Sequence, residues 1–435
     1  MYLKIDDQCM GSSPSCQRQC SPWGRQLTTR VEADALRTGT TTGAKRLLTD
    51  IREMAPGIGS RALEIEAARQ IPLDLMLALR SMGAFRMLVP QSHGGLELDL
   101  PRALELIGEF GKIDGSVGWT VMIGNGNDLL ASLLPRVTYE QVYQNGPDTF
   151  VAGSAQPVGT AEQAAGGWLV NGRWPFATGC QHAEWMYGFC VMKAAGFPLP
   201  GSAGTEGPPL VRGFFLPARN WHIEDTWHAA GLKGSGSHHI SLRDMWVPAA
   251  NFFDIWSGIP CVAGPLYQAV PQLLPLFHGT ISVAIAERAL DELVELANTG
   301  RRQLRAAAPM RNSEAFQFEL GRVAADVRAA QALLQTHAAS LWRDALAGTL
   351  KDEAHFTQAT QTAIWLVTTC VRATDACSML GGASTLYESS PLQRRMRDLH
   401  AAALHAIAHQ RHYANAGKLL LEKSTVNHTI GAAEC

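Results

Sequence analysis

The chain has 435 residues, with 37 Lys+Arg against 39 Asp+Glu and 46% hydrophobic content. That length exceeds one compact core, and the composition excludes a largely disordered chain. The absence of a basic surplus argues against phosphate-backbone binding, and no apolar run reaches the ~18–20 residues of a membrane span. With no continuous apolar leader segment either, a cytoplasmic protein is the expectation.

Residues 1–43 are rich in Ser, Thr, Gln, Gly and Cys and show no apolar period. They read as a poorly ordered extension. Cys9, Cys16 and Cys20 cluster there without a fourth ligand for zinc. Residues 44–148 read as a helical domain: Leu47, Leu48, Ile51 and Met54 recur at helical spacing, and Leu73–Met82, Leu100–Phe110 and Gly118–Leu134 continue the pattern. Residues 149–260 read as a β domain, with short apolar runs bounded by Gly, Asn and Pro. Asn171-Gly172 predicts a hairpin turn there. Residues 261–435 read as a helical bundle built on Ile281–Ala297, Phe316–Ala347, Phe356–Leu380 and Met396–Leu421.

The common chemical signatures are missing. There is no Walker A string, no GxGxxG, no GxSxG and no HExxH. Gly231-Leu232-Lys233-Gly234-Ser235-Gly236-Ser237 is Gly-rich but opens a strand, so it reads as a turn, with a phosphate-contacting loop the lesser reading. His405, His409 and His412 fall at i, i+4 and i+7, on one face of the last helix. Metal binding, a surface role and a proton-transfer role are all open for them; with no carboxylate or Cys on that face, metal is the weakest.

Several strings go further. They are Phe85-Arg86-Met87-Leu88-Val89-Pro90 with His93-Gly94-Gly95; Asp114-Gly115-Ser116-Val117-Gly118-Trp119-Thr120; Asn171-Gly172-Arg173-Trp174-Pro175-Phe176-Ala177-Thr178-Gly179-Cys180; the Gly231–Ser237 string; and Pro391–Leu399 running on to His405. In this order the chain resembles the acyl-CoA dehydrogenase superfamily, and more narrowly its flavin-dependent monooxygenase branch of two-component aromatic hydroxylases.

The resemblance implies an α+β fold: an N-terminal helical domain, a central β-barrel or sandwich domain and a C-terminal four-helix bundle. It implies an oxygenase component that takes reduced FMN or FAD from a separate flavin reductase. With O2 as co-substrate it would hydroxylate a small aromatic or polycyclic molecule through a C4a-hydroperoxyflavin. It further implies a homotetramer. A dehydrogenase of this superfamily would carry a carboxylate base near the Arg397-Asp398 string, yet no Glu lies between Glu388 and Glu422 and His405 stands there instead. An acyl-CoA dehydrogenase or flavin oxidase, and a non-catalytic or lyase-like member of the fold, are the alternatives.

By the same resemblance, His405 and Thr178 are the candidate catalytic residues, His405 as acid–base group with His400 as runner-up. Thr178 stands where relatives carry Ser. Trp119, Trp174, Phe176, Thr178, Gly179, Arg305, Gly381 and Gly382 are the candidate cofactor contacts, Trp174 and Phe176 as the wall of a dry pocket and Arg305, with Arg301 and Arg302, as a phosphate contact. Asn125 and Asn127 occupy the helix where relatives often have a His.

Overall fold

The structure, a computed structural model, describes residues 42–201, 204–303 and 306–431. The tail with its three cysteines, and Arg305, lie outside the described residues.

Six helices come first: α1 (42–60), α2 (Ala62–Ala68), α3 (Leu73–Met82), α4 (Leu100–Ile113), α5 (Gly115–Ala131) and α6 (Arg136–Val142). Asp99 caps α4 by accepting from Arg102 N, and Asp114 caps α5 by accepting from Ser116 N and Val117 N. Such caps satisfy N–H groups that have no partner within the helix. Between α3 and α4 the chain doubles back, with Leu96 N donating to Arg86 O and Leu98 N to Met87 O. Gly95 permits this crossing, since a Cβ there would lie 1.9 Å from Val89 O.

The middle of the chain is β: β1 (Val151–Ala164), β2 (Gly167–Ala177), β3 (Trp185–Ala194), β4 (Phe197–Pro198), β5 (Pro200–Gly201), β6 (Gly204–Pro209), β7 (Val211–Pro217), β8 (His222–Glu224), β9 (His238–Pro248) and β10 (Phe252–Phe253). One mixed sheet runs in the order β10-β7-β3-β1-β2-β9-β8, with β4 beside β3; β5 and β6 pair separately. The β1–β3 pair is parallel. Trp174 on β2 reaches across β1 and β3. Its ring packs 5.8 Å from Phe214 on β7 and 5.2 Å from Trp221, and its Nε1 donates to Phe189 O. A flat sheet would separate β2 from β7 by about 14 Å, so the sheet curls around this tryptophan.

Two sequence expectations are corrected here. Asn171-Gly172 is not the hairpin turn, which falls at residues 165–166 with Gly166 at φ 71°. Asn171-Gly172 lies inside β2 as a bulge opposite β9, where the register shifts between Val170 and Gly172. Gly172 is needed because a Cβ would meet the Trp174 ring at 2.6 Å. Trp174 is the second correction. It is fully buried with its one polar atom spent on Phe189 O, so it is the core of the sheet and not the wall of a cofactor pocket.

The rest is helical: α7 (Val270–Asn298), α8 (Glu314–Ala347), α9 (Glu353–Gly381), α10 (Pro391–Ala402) and α11 (His412–Gly431). Helix α7 packs against α9, α4, α10 and α5. It is long and apolar enough to cross a membrane by length and composition, but 72% of its most apolar stretch is buried inside the protein, which makes it a core helix. The expected helix over Met396–Leu421 is two helices. His405 lies in the break and His412 opens the second helix, so His405, His409 and His412 do not share one helical face.

Candidate active site

Trp119 sits in the second turn of α5, 7% exposed. Its indole Nε1 donates to Thr178 Oγ1 at 3.2 Å. Thr178 follows β2 in a tight turn: Phe176 has φ 65°, Thr178 N donates to Phe176 O, and Gly179 at φ 69° donates its N–H to Ser235 O. Gly179 has both a left-handed backbone and a neighbour, Phe150, 2.6 Å from where a Cβ would stand. This turn presents the Thr178 hydroxyl to Trp119 and, at 2.8 Å, to Ser237 Oγ.

On another side Trp119 meets two imidazoles edge-on, His278 at 5.2 Å and His405 at 5.9 Å between ring centroids. His278 comes from α7 and is buried, and its Nδ1 has no hydrogen-bond partner. Sequence reasoning missed it: a single His in the apolar run Leu276-Phe277-His278-Gly279 reads as a core residue. Its absent partner is the signal, and that shows only in three dimensions.

His405 caps the short turn after α10, its Nδ1 accepting from Ile407 N at 3.2 Å. In the neutral ring an accepting Nδ1 leaves the proton on Nε2. Neutral His405 is therefore a donor at Nε2. The residue is exposed to solvent, yet the protein packed around its ring pushes its pKa down to about 4. His278 is pushed well below the usual histidine range, by burial first and then by the neighbouring His405. Both rings are neutral at neutral pH.

Helix α10 holds the site together. Asp398 accepts from Leu232 N at 2.6 Å, Arg397 donates to Ala230 O at 2.6 Å and to Glu66 on α2, and Arg395 donates to Ile113 O and pairs with buried Glu292 on α7. The Arg-Arg-Met-Arg-Asp string is thus a clamp on the loop that carries Ser235 and Ser237. Burial and the nearby Asp114 push Asp398 up to about 7, against the Leu232 N–H that favours its charged form.

The remaining candidates fall elsewhere. Phe176 is 56% exposed, edge-on to Trp227 and His239. Gly381 and Gly382 end α9, where Gln303 donates to Leu380 O; the loop bearing Arg301 and Arg302 therefore meets this glycine pair. No hydrogen bond or ring contact among the described residues joins that corner to Trp119. His400 is exposed and paired with Asp375 at 2.7 Å, so it is not a second base for the same pocket. Asn125 donates to Ala84 O and Val121 O, and Asn127 to Val151 O, so both amide groups are tied to backbone.

A cluster with one hydroxyl, one indole edge and two neutral imidazoles suits a flat, polar-edged ring and a neutral aromatic substrate. No carboxylate contacts Trp119, Thr178, His278 or His405 among the described residues.

Residues 45–142 match the family description "Acyl-CoA dehydrogenase, N-terminal domain" and residues 276–410 match "Acyl-CoA dehydrogenase, C-terminal domain". The chain is 30% identical over 381 residues to an indole-3-acetate monooxygenase of Pseudomonas putida, covering 87% of this chain and 92% of that one. It is 30% identical over 382 residues to the oxygenase component of an FADH2-dependent resorcinol hydroxylase of a Rhizobium species, covering 83% and 90%. The solved structure of XiaF from a Streptomyces species, in complex with FADH2 and glycerol, superposes with a TM-score of 0.79 at 26% identity, covering 86% of this chain and 94% of that one.

Proposed function

From the premise that the chain belongs to the acyl-CoA dehydrogenase family, we infer that it is the oxygenase component of a two-component flavin-dependent monooxygenase, acting on an aromatic small molecule. The observation that carries this reading is the chemistry around Trp119: a hydroxyl and two neutral imidazoles, with no carboxylate among the described residues in contact with them to abstract the α-proton of a thioester. When bound, reduced FMN or FAD supplies the electrons that activate O2, and a separate flavin reductase supplies the reduced flavin.

The chain's own residues bind, orient and keep water out. Thr178 offers its hydroxyl to the flavin edge, with Trp119 holding it in place and Gly179 making the turn. His405 donates a hydrogen bond from its Nε2–H to a phenol oxygen or a similar substrate atom; with its Nδ1 engaged by Ile407 N, it serves in this reading as a hydrogen-bond donor in place of the acid–base role expected from sequence. His278 backs His405. Phe176 is an exposed aromatic surface beside Trp227. Gly381, Gly382 and the segment bearing Arg301, Arg302 and Gln303 form a second flavin contact, completed by a neighbouring subunit of a homotetramer. Met379, Leu386, Tyr387 and Leu404, each more than two-thirds exposed, support an assembly that covers this region. The domain divisions at 44–148, 149–260 and 261–435 and a cytoplasmic location belong to the same proposal.

The test supplies chemically reduced FMN or FAD to the protein under nitrogen, then oxygenated buffer with phenols and indoles. Hydroxylated product per flavin oxidised is the readout. The expected result is product with reduced flavin and none with NADH alone. Bleaching of a bound flavin by acyl-CoA, without hydroxylation of any aromatic, would instead establish the dehydrogenase alternative.

A further inference from the structure

Helices α4, α7 and α8 enclose a cavity of about 390 Å³, at the small end of the ~300–1,000 Å³ range of small-molecule sites. Its cause lies in how the helices meet. α4 and α7 approach through glycine: a Cβ on Gly111 would lie 3.0 Å from that of Ala284, and one on Gly108 would lie 3.5 Å from the Thr280 methyl. α8 packs against α7 as well, and the space remains between α4 and α8. Its floor is apolar, with Leu104, Val283, Ala284, Leu334 and Ala338 all buried there. The cavity is separate from the site around Trp119. Thr280, Val283, Ala284 and Glu287 line it from α7 and follow His278 by two, five, six and nine residues, which turns them about 200°, 140°, 240° and 180° away from His278 on an ideal helix. One face of α7 serves Trp119 and the opposite face serves this groove.

The walls decide what the groove takes. They carry four carboxylates, Asp99, Glu105, Glu109 and Glu287, against two cations, Arg102 and Lys112. Arg102 pairs with Glu105 at 2.6 Å, and Asp99 is occupied in capping α4. Lys112 bridges the two helices, its Nζ 3.0 Å from an oxygen of Glu109 and 3.0 Å from an oxygen of Glu287. Two carboxylates thus share one ammonium, and among the described residues no other cation pairs with either. The Glu287 side chain is 16% exposed, so its attraction for a second cation is screened less than at an open surface. We propose that this groove is a binding site for a small organic cation, a protonated amine with a hydrocarbon body. Its ammonium sits opposite Lys112, between Glu109 and Glu287, and completes an alternating square of charge. Its body covers Leu104, Val283 and Leu334. No aromatic side chain lines the groove, so a saturated body serves as well as a flat ring. An anion meets the excess negative charge and is rejected, and a neutral alcohol leaves that charge unanswered. The proposal stands independently of the flavin reading.

The experiment titrates the full-length protein by calorimetry, at neutral pH and low salt, with cyclohexylmethylamine, its neutral counterpart cyclohexylmethanol and its anionic counterpart cyclohexanecarboxylate. The amine is expected to bind about tenfold more tightly than the alcohol, the scale of one charge-assisted hydrogen bond, and the carboxylate not at all. Glu287→Gln removes one carboxylate, leaves Lys112 paired with Glu109, and should bring the amine down to the level of the alcohol. Gln335→Trp, at an exposed position of α8 on the rim, should fill the mouth and abolish binding of both. No binding of the amine, equal affinity of the wild type for amine and alcohol, or amine binding untouched by both variants would each overturn the proposal. Oligomeric mass is measured on the same samples. An assembly that dissociates in Gln335→Trp would mean that a second copy of the chain covers the groove, and would refute the cation site.

Discussion

The imidazoles of His278 and His405 stack with their centroids 4.0 Å apart and 24° between their planes, although one projects from the third turn of α7 and the other from the break after α10. Two imidazolium ions at that separation would repel in a setting where burial already disfavours charge. The pair therefore works uncharged, and what it offers a ligand is polarity without a net charge.

The first expectation concerns pH. With its pKa near 4, His405 is neutral from about pH 5 upward and still carries its Nε2 proton. Hydroxylation should show no limb near pH 6.5 that belongs to His405. His405→Ala should cost about 10²-fold in product formation, the scale of losing one well-placed donor. His405→Gln, which keeps an N–H, should recover part of it. A limb near pH 6.5 that disappears in His405→Ala would return the residue to the role of base.

His278 should separate stability from activity. Its buried Nδ1 has no partner, so an apolar residue of similar size removes an unsatisfied group worth ~1–3 kcal/mol. Its folded pKa lies below the ordinary histidine value near 6.5, so the unfolded chain binds the extra proton first and stability falls as pH drops below 6.5. His278→Leu is expected to melt no lower than wild type at pH 7.5 and higher at pH 5.5. Its product yield should nevertheless fall roughly ten- to a hundredfold, from the lost support of His405. A variant that melts lower at both pH values would mean that His278 is only a packing residue.

How much of this was legible in the sequence varies residue by residue. The order of helices, strands and helices follows from periodicity, and Trp119, Thr178 and His405, which the family resemblance picks out, meet in the fold. Asn171-Gly172 misled because a turn-favouring dipeptide serves equally well as a bulge, and here the space under Trp174 decides which. The helix break after Ala402 carries no Gly or Pro; the string from Ala403 to Arg411 offers no local signal, and a histidine capping a short turn is a tertiary choice. His278 was hidden by its apolar neighbours.

Trp174 and Trp119 should behave oppositely. Trp174 is buried at 0% exposure over Gly159 and Gly188, where a Cβ would come within 2.1 Å and 2.8 Å of its ring. Trp174→Ala should cost ~3–5 kcal/mol of stability, while the fraction that folds keeps its affinity for FMN. Trp119→Phe keeps most of the packing but removes the N–H that holds Thr178, so FMN affinity should fall with little change in melting temperature. Denaturant titration and flavin binding on the same samples check both. Weakened FMN binding in folded Trp174→Phe would put that residue back in the pocket wall.

Asp398 gives the clearest pH signature of the clamp. It is 1% exposed, accepts from Leu232 N, and has Gly115 packed against its other oxygen so tightly that a Cβ there would lie 2.7 Å away. Its folded pKa near 7 is above the unfolded value near 4, so the native state binds the extra proton between them. Its favourable contribution is complete below pH 4 and is lost as pH rises through 7. Asp398→Asn keeps an oxygen for Leu232 N and removes the charge. Relative to wild type it should gain stability between pH 5 and pH 8, with FMN affinity retained. Asp398→Ala loses the acceptor, should melt lower at both pH values, and should weaken FMN because Leu232 anchors the string that carries Ser235 and Ser237. Thermal midpoints at pH 5 and pH 8 separate these outcomes. A constant difference between Asp398→Asn and wild type across that range would mean that the carboxyl is ionised throughout and that the clamp works by charge.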